Sequence, residues 1–144
     1  MLGSVEDSVG YVLKQAAVAL RNAMDAVLRP LQLTVPQYSC LELLGQRPGL
    51  SNAELARGTF VTRQSMNVVL HGLERHGLVT RPATAPRGRE LPTALTPAGR
   101  EQLRAASIAV RGVEKRMSEG LTPEQQKALL DVLTMFRRNL ADPG

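Results

Sequence analysis

Residues 51–99 constrain the fold more than any other part of the chain, because they predict a fixed succession of short elements. A capping box over 51–54 begins a short helix, and Thr62 begins a second one after a turn. A short apolar strand, a loop rich in proline and arginine over 82–89, and a return strand ending at Leu95 follow. Helix, turn, helix and basic hairpin together have the layout of a winged helix-turn-helix.

The positive charge of the chain is concentrated in the same region. The net charge is +5, and the stretch from Ser51 to Arg100 carries seven arginines and three glutamates, hence +4. A local basic face is typical of a protein that binds nucleic acid phosphates. Aromatic residues make up only 3% of the chain and tryptophan is absent, which argues against a single-strand binder built on base stacking.

Few residues carry the chemistry of an enzyme or a metal site. The only cysteine, Cys40, excludes an intrachain disulfide and a four-cysteine zinc site, and it is expected to be buried and inert rather than an oxidant sensor. His71 and His76 are five apart, which does not place both on one helix face, so we expect them to be structural. No nucleophile–base pair and no glycine-rich phosphate loop is evident. We predict neither enzymatic activity nor a metal or cofactor.

The sequence also predicts a cytoplasmic protein. No apolar run reaches the length of about 18 residues that a membrane helix needs. The first residues, 1–7, are acidic and lack the basic start and the long apolar stretch of a signal peptide.

Apolar residues recur at steps of three and four on both sides of the central region. From Val5 to Leu31 they predict a helix over roughly 6–29, which Pro30 ends. From Leu103 to Met117 they form a heptad-like seam, and the last helix carries a further stripe. A lone monomer would leave much of this apolar surface in water, so the terminal helices are expected to pair with each other and with a second copy of the chain.

Four segments in order, Leu33–Tyr38, Glu54–Ala56, Leu73–Arg81 and Leu95–Arg100, resemble the MarR family of bacterial transcription regulators. The resemblance covers about residues 10–140. It implies a homodimer, a pseudo-palindromic operator on double-stranded DNA, and in many members release from DNA by small phenolic or aromatic ligands or by oxidation.

Together the pattern and the resemblance predict a mainly α fold with a small β wing. In this interpretation 1–144 form a single MarR-like domain. A winged helix-turn-helix lobe, 33–99, binds DNA, and long N- and C-terminal helices, 5–31 and 100–140, form the dimerisation lobe. The expected function is that of a sequence-specific repressor. The alternative is a dimeric winged-helix adaptor for protein interaction that does not bind an operator.

The predicted DNA-binding residues lie at the start of the second helix and in the wing. Arginine can pair with guanine, and glutamine or asparagine with adenine, through two hydrogen bonds each. Arg89 matches the arginine that enters the minor groove in the family. The set is Thr62, Arg63, Gln64, Ser65, Asn67, Arg87 and Arg89.

The chain departs from the family pattern at three places. The acidic residue that commonly stands before the wing-tip arginines is missing from the stretch 86–89. Val68 and Gly72 occupy positions that are basic in many members. These differences predict fewer phosphate contacts and a weaker operator affinity, with the same mode of binding.

An effector site is predicted in the crevice between the winged helix and the helical lobe. Its residues are mostly apolar, with one tyrosine hydroxyl, which suits a flat aromatic acid or phenol. The alternative is that the same residues fill the hinge core. They are Met24, Leu28, Tyr38, Leu41, Met66 and Leu70.

Overall fold

The computed structural model of the protein describes residues 4–81 and 92–141. Within them the chain is mainly helical with one small antiparallel hairpin, as the sequence predicts. The elements are α1 Val9–Leu28, α2 Val35–Gln46, α3 Asn52–Thr59, α4 Arg63–Arg75, β1 Val79–Thr80, β2 Ala94–Leu95, α5 Pro97–Met117 and α6 Pro123–Ala141.

Side-chain caps fix where the helices begin. Thr34 and Ser51 each accept a hydrogen bond from the backbone three residues on, at 3.2 Å, and Gln37 and Glu54 complete the two capping boxes. Thr122 makes the same arrangement with Gln125 before α6. Each cap satisfies backbone N–H groups that have no partner inside the helix. The three predicted starts are confirmed.

The first helix begins later than its apolar pattern suggests. A 3-10 turn, Val5–Asp7, precedes it, and the Ser8 hydroxyl accepts from the N–H of Tyr11 at 3.4 Å. Ser8 therefore caps α1 and moves its start from the predicted position 6 to Val9, because a serine at this position stabilises the end rather than the interior of a helix. Leu28 is its last residue, and Pro30 lies in the 3-10 turn that follows.

The core joins the end of α1 to α2, α3, α4, β1 and α5. Leucine side chains with no exposed surface dominate it, which contributes the large apolar burial that holds a domain of this size together. The fully buried residues of this core include Leu28, Cys40, Leu41, Leu55, Met66, Leu70, Leu73 and Ala106.

The hairpin is short and its register is simple. Val79 pairs with Leu95 and Thr80 pairs with Ala94. Val79 is buried in the core while Thr80 faces solvent, so one face of the hairpin closes the core and the other is free.

The chain divides into two compact units between Val113 and Glu114, inside α5. In the first unit the seam of α5 is buried at Ala106, Val110 and Val113. The second unit contains the end of α5 and α6, and none of the described α6 residues is buried. The predicted division into a winged-helix lobe and a dimerisation lobe stays a prediction. In the described segments, no helix is both long and apolar enough to cross a membrane.

Candidate DNA-binding surface

Helix α4 is amphipathic, with one buried face and one exposed face. Met66, Leu70 and Leu73 have no exposed surface and anchor the helix to the core. With about 100° per residue, the opposite side carries only exposed residues. The predicted base-contacting residues Arg63, Gln64, Ser65 and Asn67 are all exposed, so the structure places them together on or beside this outward face.

Thr62 is the N-cap of α4, as predicted. Its Oγ1 accepts from the N–H of Ser65 at 3.0 Å and donates to Ser65 Oγ at 3.0 Å. Because Ser65 accepts in this second bond, its own hydroxyl proton points elsewhere and is available to an incoming phosphate. The end of a helix that presents N–H groups and hydroxyls favours an anion.

Asn67 is held by a residue that the sequence did not single out. Asn52, in the first turn of α3, donates a hydrogen bond from Nδ2 to Asn67 Oδ1. This bond fixes the orientation of the Asn67 amide and leaves its Nδ2 group directed away from Asn52. Asn52 Oδ1 is buried with no hydrogen-bond partner among the described residues. The contact joins the two helices of the helix-turn-helix beside the predicted base-contacting set.

An ion pair joins the end of α4 to the residue that follows β1. Arg81 donates to Glu74 Oε1 from Nε at 3.1 Å and from Nη2 at 2.6 Å, and both side chains are partly buried. Arg81 is therefore engaged within the fold, and its charge is neutralised. The excess of +4 already subtracts Glu74, so it is unchanged, and it is carried by the other arginines of the stretch.

The base of the wing is fastened to α5 by Thr96 and Gly99. Thr96 Oγ1 donates to the carbonyl of Gly77 at 2.6 Å and accepts from the N–H of Gly99 at 2.9 Å. A Cβ on Gly99 would stand 1.9 Å from the carbonyl oxygen of Leu78. Gly77 has φ +72°, a conformation that glycine adopts without strain. Residues that carry the family resemblance thus have a physical role, which is to hold the start of α5 close to residues 77 and 78.

The wing-tip arginines Arg87 and Arg89 lie outside the described residues, as does the stretch 86–89 in which the acidic residue is missing. Their predicted minor-groove contact stays a prediction. Gly72 is buried, and a Cβ there would lie 3.2 Å from Gln37 Nε2. A basic residue at position 72 would face α2, so the lost phosphate contact inferred from this position does not follow. Val68, in contrast, is exposed.

The residues predicted to line an effector site are brought together, and they are packed. Leu28, Leu41, Met66 and Leu70 have no exposed surface. Tyr38 is nearly buried, and Met24 packs against the same cluster. In this chain alone they fill the hinge core, so a ligand there requires side chains to move apart.

The Tyr38 hydroxyl takes part in a polar network around Glu42. It donates to Glu42 Oε2 at 3.1 Å, and Ser107 on α5 donates to the same oxygen at 3.0 Å. Gln46 Nε2 donates to Glu42 Oε1 at 3.2 Å. The sequence singled out neither Glu42 nor Ser107. A carboxylate ligand beside Tyr38 would meet the negative charge of Glu42, whereas a phenolic hydroxyl could donate to it.

An open groove of about 390 Å³ lies about one helical turn from Glu42 and Ser107, toward the end of α2 and the start of α5. Its floor is apolar, with Leu44, Leu95 and Leu103, and Arg100 and Arg104 contribute to its lining. Arg104 donates to the exposed Glu101, and Arg100 donates to the carbonyl of Leu95 at 3.4 Å. An apolar floor with two arginines suits an amphipathic anion.

Cys40 has no exposed surface, and burial raises the pKa of its thiol to about 12. The thiolate is the reactive form of cysteine, so this side chain is a protonated, packed thiol at physiological pH. Burial agrees with the expectation of an inert cysteine. His71 and His76 are both exposed on α4 and its C-cap, and no cluster of metal-ligating side chains occurs within 4–81 and 92–141.

A helix with an exposed hydrogen-bonding face, preceded by a second helix and followed by a braced hairpin, defines the protein as a winged helix-turn-helix DNA-binding regulator. Residues 31–90 match the family model described as MarR family. The chain is 45% identical over 127 residues to the HTH-type transcriptional repressor Rv2887 of Mycobacterium tuberculosis, covering 88% of this chain and 91% of the relative.

Solved structures of similar proteins have the same fold. Rv2887 in complex with DNA superposes with a TM-score of 0.76 at 41% identity, covering 90% of this chain and 97% of that one. Rv2887 in complex with salicylic acid gives a TM-score of 0.72 at 43% identity over 90% and 96% of the two chains. The transcriptional repressor CouR bound to a 23-mer DNA duplex gives 0.84 at 31% identity, with 94% and 96% covered. The chain belongs to the MarR family, a family of transcription regulators rather than enzymes.

Proposed function

We propose that the protein is a repressor that binds a pseudo-palindromic operator as a homodimer and places α4 of each protomer in the major groove. The observation that carries the proposal is the start of α4, where Arg63, Gln64 and Asn67 are exposed while Met66 and Leu70 are fully buried. Crystal structures of Rv2887 and CouR with DNA support it. The cytoplasm, where operator DNA is found, is the proposed location.

DNA-binding measurements on variants at the start of α4 test this proposal. An operator is selected from a random duplex pool, and affinity is measured by fluorescence anisotropy. Arg63→Ala or Asn67→Ala lowers specific affinity by roughly 1–3 kcal/mol and relaxes preference at one or two bases per half-site. Arg21→Ala removes the same charge from the exposed surface of α1 and serves as the control. Equal losses on operator and random DNA would contradict base contact. A chain that selects no duplex would favour the adaptor function.

Asn52 is proposed to position Asn67 rather than to touch DNA. Asn52→Ala removes the hydrogen bond to Asn67 Oδ1 and lets the amide rotate. Specificity at the base contacted by Asn67 then falls while the slope of log affinity against log salt is unchanged, because no phosphate contact is lost. A reduced salt slope would instead mean that Asn52 contacts the backbone of DNA.

The wing is proposed to supply Arg89, with Arg87 beside it, to the narrow minor groove. Arg89→Ala weakens binding and reduces the salt slope by about one unit per half-site. An unchanged slope would exclude a contact with DNA by this side chain.

Dimerisation is proposed to use the terminal helices. Support comes from exposed apolar side chains at both ends of the chain, among them Val9 and Val12 on α1 and Leu129, Leu133 and Leu140 on α6. An apolar surface of this extent on a soluble chain is typical of an interface. Two recognition helices on one dimer would engage half-sites about one helical turn apart.

We further propose that a small aromatic ligand releases the protein from DNA. The crystallised complexes of Rv2887 with salicylic acid and with p-aminosalicylic acid support a ligand of this class. Two locations are open to it: the hinge core around Tyr38, which must loosen, and the groove beside Arg100 and Arg104, which is already open. By linkage the ligand weakens DNA binding by the factor by which DNA weakens ligand binding.

Calorimetric titration of salicylate into free and operator-bound protein tests the release. The free form binds more tightly if salicylate is the inducer, and equal affinity excludes it. Two variants separate the locations. Leu103→Trp fills the groove and abolishes binding there, whereas Tyr38→Phe removes the hydroxyl of the hinge core and leaves the groove intact. Loss of binding in only one variant assigns the site.

A further inference from the structure

One apolar side chain stands in the middle of the DNA-facing side of α4. Val68 is 71% exposed, although it lies two residues from Met66 and Leu70, which are fully buried. With about 100° per residue, four residues share an outward arc of about 60° that opposes the buried row. These residues are Gln64, Val68, His71 and Arg75.

Val68 contributes little to the fold of this chain. It is absent from the core cluster and from the apolar residues packed against that cluster. A β-branched residue on an exposed helix surface has a lower helix propensity than lysine, arginine or glutamate at the same position. A lone exposed valine elsewhere would call for no explanation. Here it lies one helical turn after Gln64 and directly after Asn67, both proposed base-contacting residues.

The chemistry of the major groove supplies a partner for an exposed aliphatic group. Thymine alone presents a methyl group there, and small apolar side chains recognise it by direct contact. We propose that Val68 packs against the C5-methyl group of a thymine and determines a T·A pair at one position of each half-site. The inference rests on the proposed placement of α4 in the major groove.

The position of the thymine follows from helix geometry. Four residues of α-helix advance about 6 Å, and successive base pairs are about 3.4 Å apart. If α4 runs along the groove, Val68 therefore contacts a base about two pairs from the one contacted by Gln64. Position 68 thus selects sequence in this protein, whereas a basic residue there would contact phosphate without selecting a base.

Substitution of thymine by uracil tests the contact, because it removes the methyl group and leaves the pairing unchanged. Each thymine of the selected operator half-site is replaced in turn, symmetrically in both half-sites, and affinity is measured by fluorescence anisotropy. We expect one position at which uracil weakens binding of the unaltered protein by about fourfold per half-site, the contribution of one buried methyl group. With Val68→Ala, which lacks the two γ-methyl groups of valine, uracil at this position weakens binding less.

Two further variants sharpen the result. Gln64→Ala, on the same face, weakens binding but keeps the uracil penalty. Val68→Lys loses the penalty and steepens the salt slope by about one unit per half-site, because it adds a phosphate contact. Unchanged thermal unfolding of Val68→Ala shows that the fold is intact.

A uracil penalty of undiminished size in Val68→Ala would overturn the proposal, since another group would then contact the methyl. So would an operator in which no thymine is sensitive. Failure to select any duplex would overturn the proposed function itself and is distinguishable from both results.

Discussion

The winged-helix region buries most of its large apolar side chains, whereas the last helix leaves its own exposed. Leu55, Leu70 and Leu73 have no exposed surface, and the region around them is closed by residues of the same chain. In α6 no residue is buried, and Leu129, Leu133 and Leu140 of its apolar stripe are all exposed. One region completes its core alone, and the other leaves exposed the apolar side chains that are proposed to form the dimer interface.

The difference shows why similar helical patterns have different meanings. Helices α4 and α6 both carry apolar residues at steps of three and four. In α4 the stripe is matched by leucines of α2 and α3, so a monomer suffices. In α6 the stripe has no such match among the buried residues, and water exposure of so much apolar surface is costly. The hydrophobic pattern predicts a helix in both cases, but only the set of available neighbours decides whether a second chain is needed.

The largest effect is expected from charge in the α6 stripe. Val132→Asp with Phe136→Asp gives a monomer or an unfolded chain, because a carboxylate in a dimer interface loses its hydration without a partner. Sedimentation velocity measures the outcome. Gln126→Asp with Asn139→Asp makes the same change of charge at exposed polar positions of α6 and leaves the dimer intact. A stable dimer of the double variant would contradict the prediction, because α6 would then not form the interface.

A pair of leucine truncations compares the two regions directly. Leu70→Ala leaves a cavity beneath α4 and lowers the free energy of unfolding by about 2–5 kcal/mol. Leu130 is 65% exposed and lies off the α6 stripe, so Leu130→Ala changes it by less than about 0.5 kcal/mol. Urea denaturation at a fixed protein concentration gives both values. Equal losses would mean that Leu130 is covered in the assembled protein.

Sequence patterns anticipated most of the fold because local chemistry sets it. Caps at Thr34, Ser51 and Thr122 mark helix starts that the structure confirms. The start of α1 was predicted too early because Ser8, a cap, interrupts a periodic apolar run. The exposed face at the start of α4 followed from the same logic.

Contacts between elements distant in sequence could not be predicted. Asn52 meets Asn67, Glu42 meets Ser107, and Arg81 is neutralised by Glu74. No local pattern in the sequence predicts which of these polar side chains pair with each other. Their pairing follows from how helices pack, which hydrophobic periodicity leaves open. Sequence reasoning therefore proposed the DNA-binding residues, but it did not find the residues that orient them.

A buried hydroxyl group in the core offers a test with a smaller expected change in the free energy of unfolding. Thr93 has no exposed surface, and its Oγ1 has no hydrogen-bond partner among the described residues. Its backbone N–H donates to the carbonyl of Leu50 at 3.1 Å, so the residue is fixed in place. Thr93→Val keeps the shape and removes the buried hydroxyl, raising the free energy of unfolding by about 1 kcal/mol. Thr93→Ser, which keeps the hydroxyl, is the control. A loss of stability in the valine variant would reveal a partner for Oγ1.

The smallest effect lies at the surface of the winged-helix region, in the capping box of α3. Hydrogen bonds from the backbone N–H and the hydroxyl of Ser51 lower the pKa of Glu54 below its ordinary value of 4.5, and the nearby Arg57 adds to this. A carboxyl group whose pKa is lowered by folding stabilises the fold above its unfolded pKa. This contribution is lost as the pH falls through the lowered, folded value.

Glu54→Gln isolates the effect, because glutamine keeps the capping hydrogen bond to the N–H of Ser51 but does not titrate. Thermal unfolding is followed from pH 6 down to pH 3 for both proteins. The unaltered protein loses more stability than the variant once the pH falls below about 4.5, the ordinary pKa of a glutamate, and the two curves run parallel above it. Curves that stay parallel throughout would mean that the charge of Glu54 adds nothing to the cap. The beginning of α3 would then depend on the two hydrogen bonds of the capping box alone.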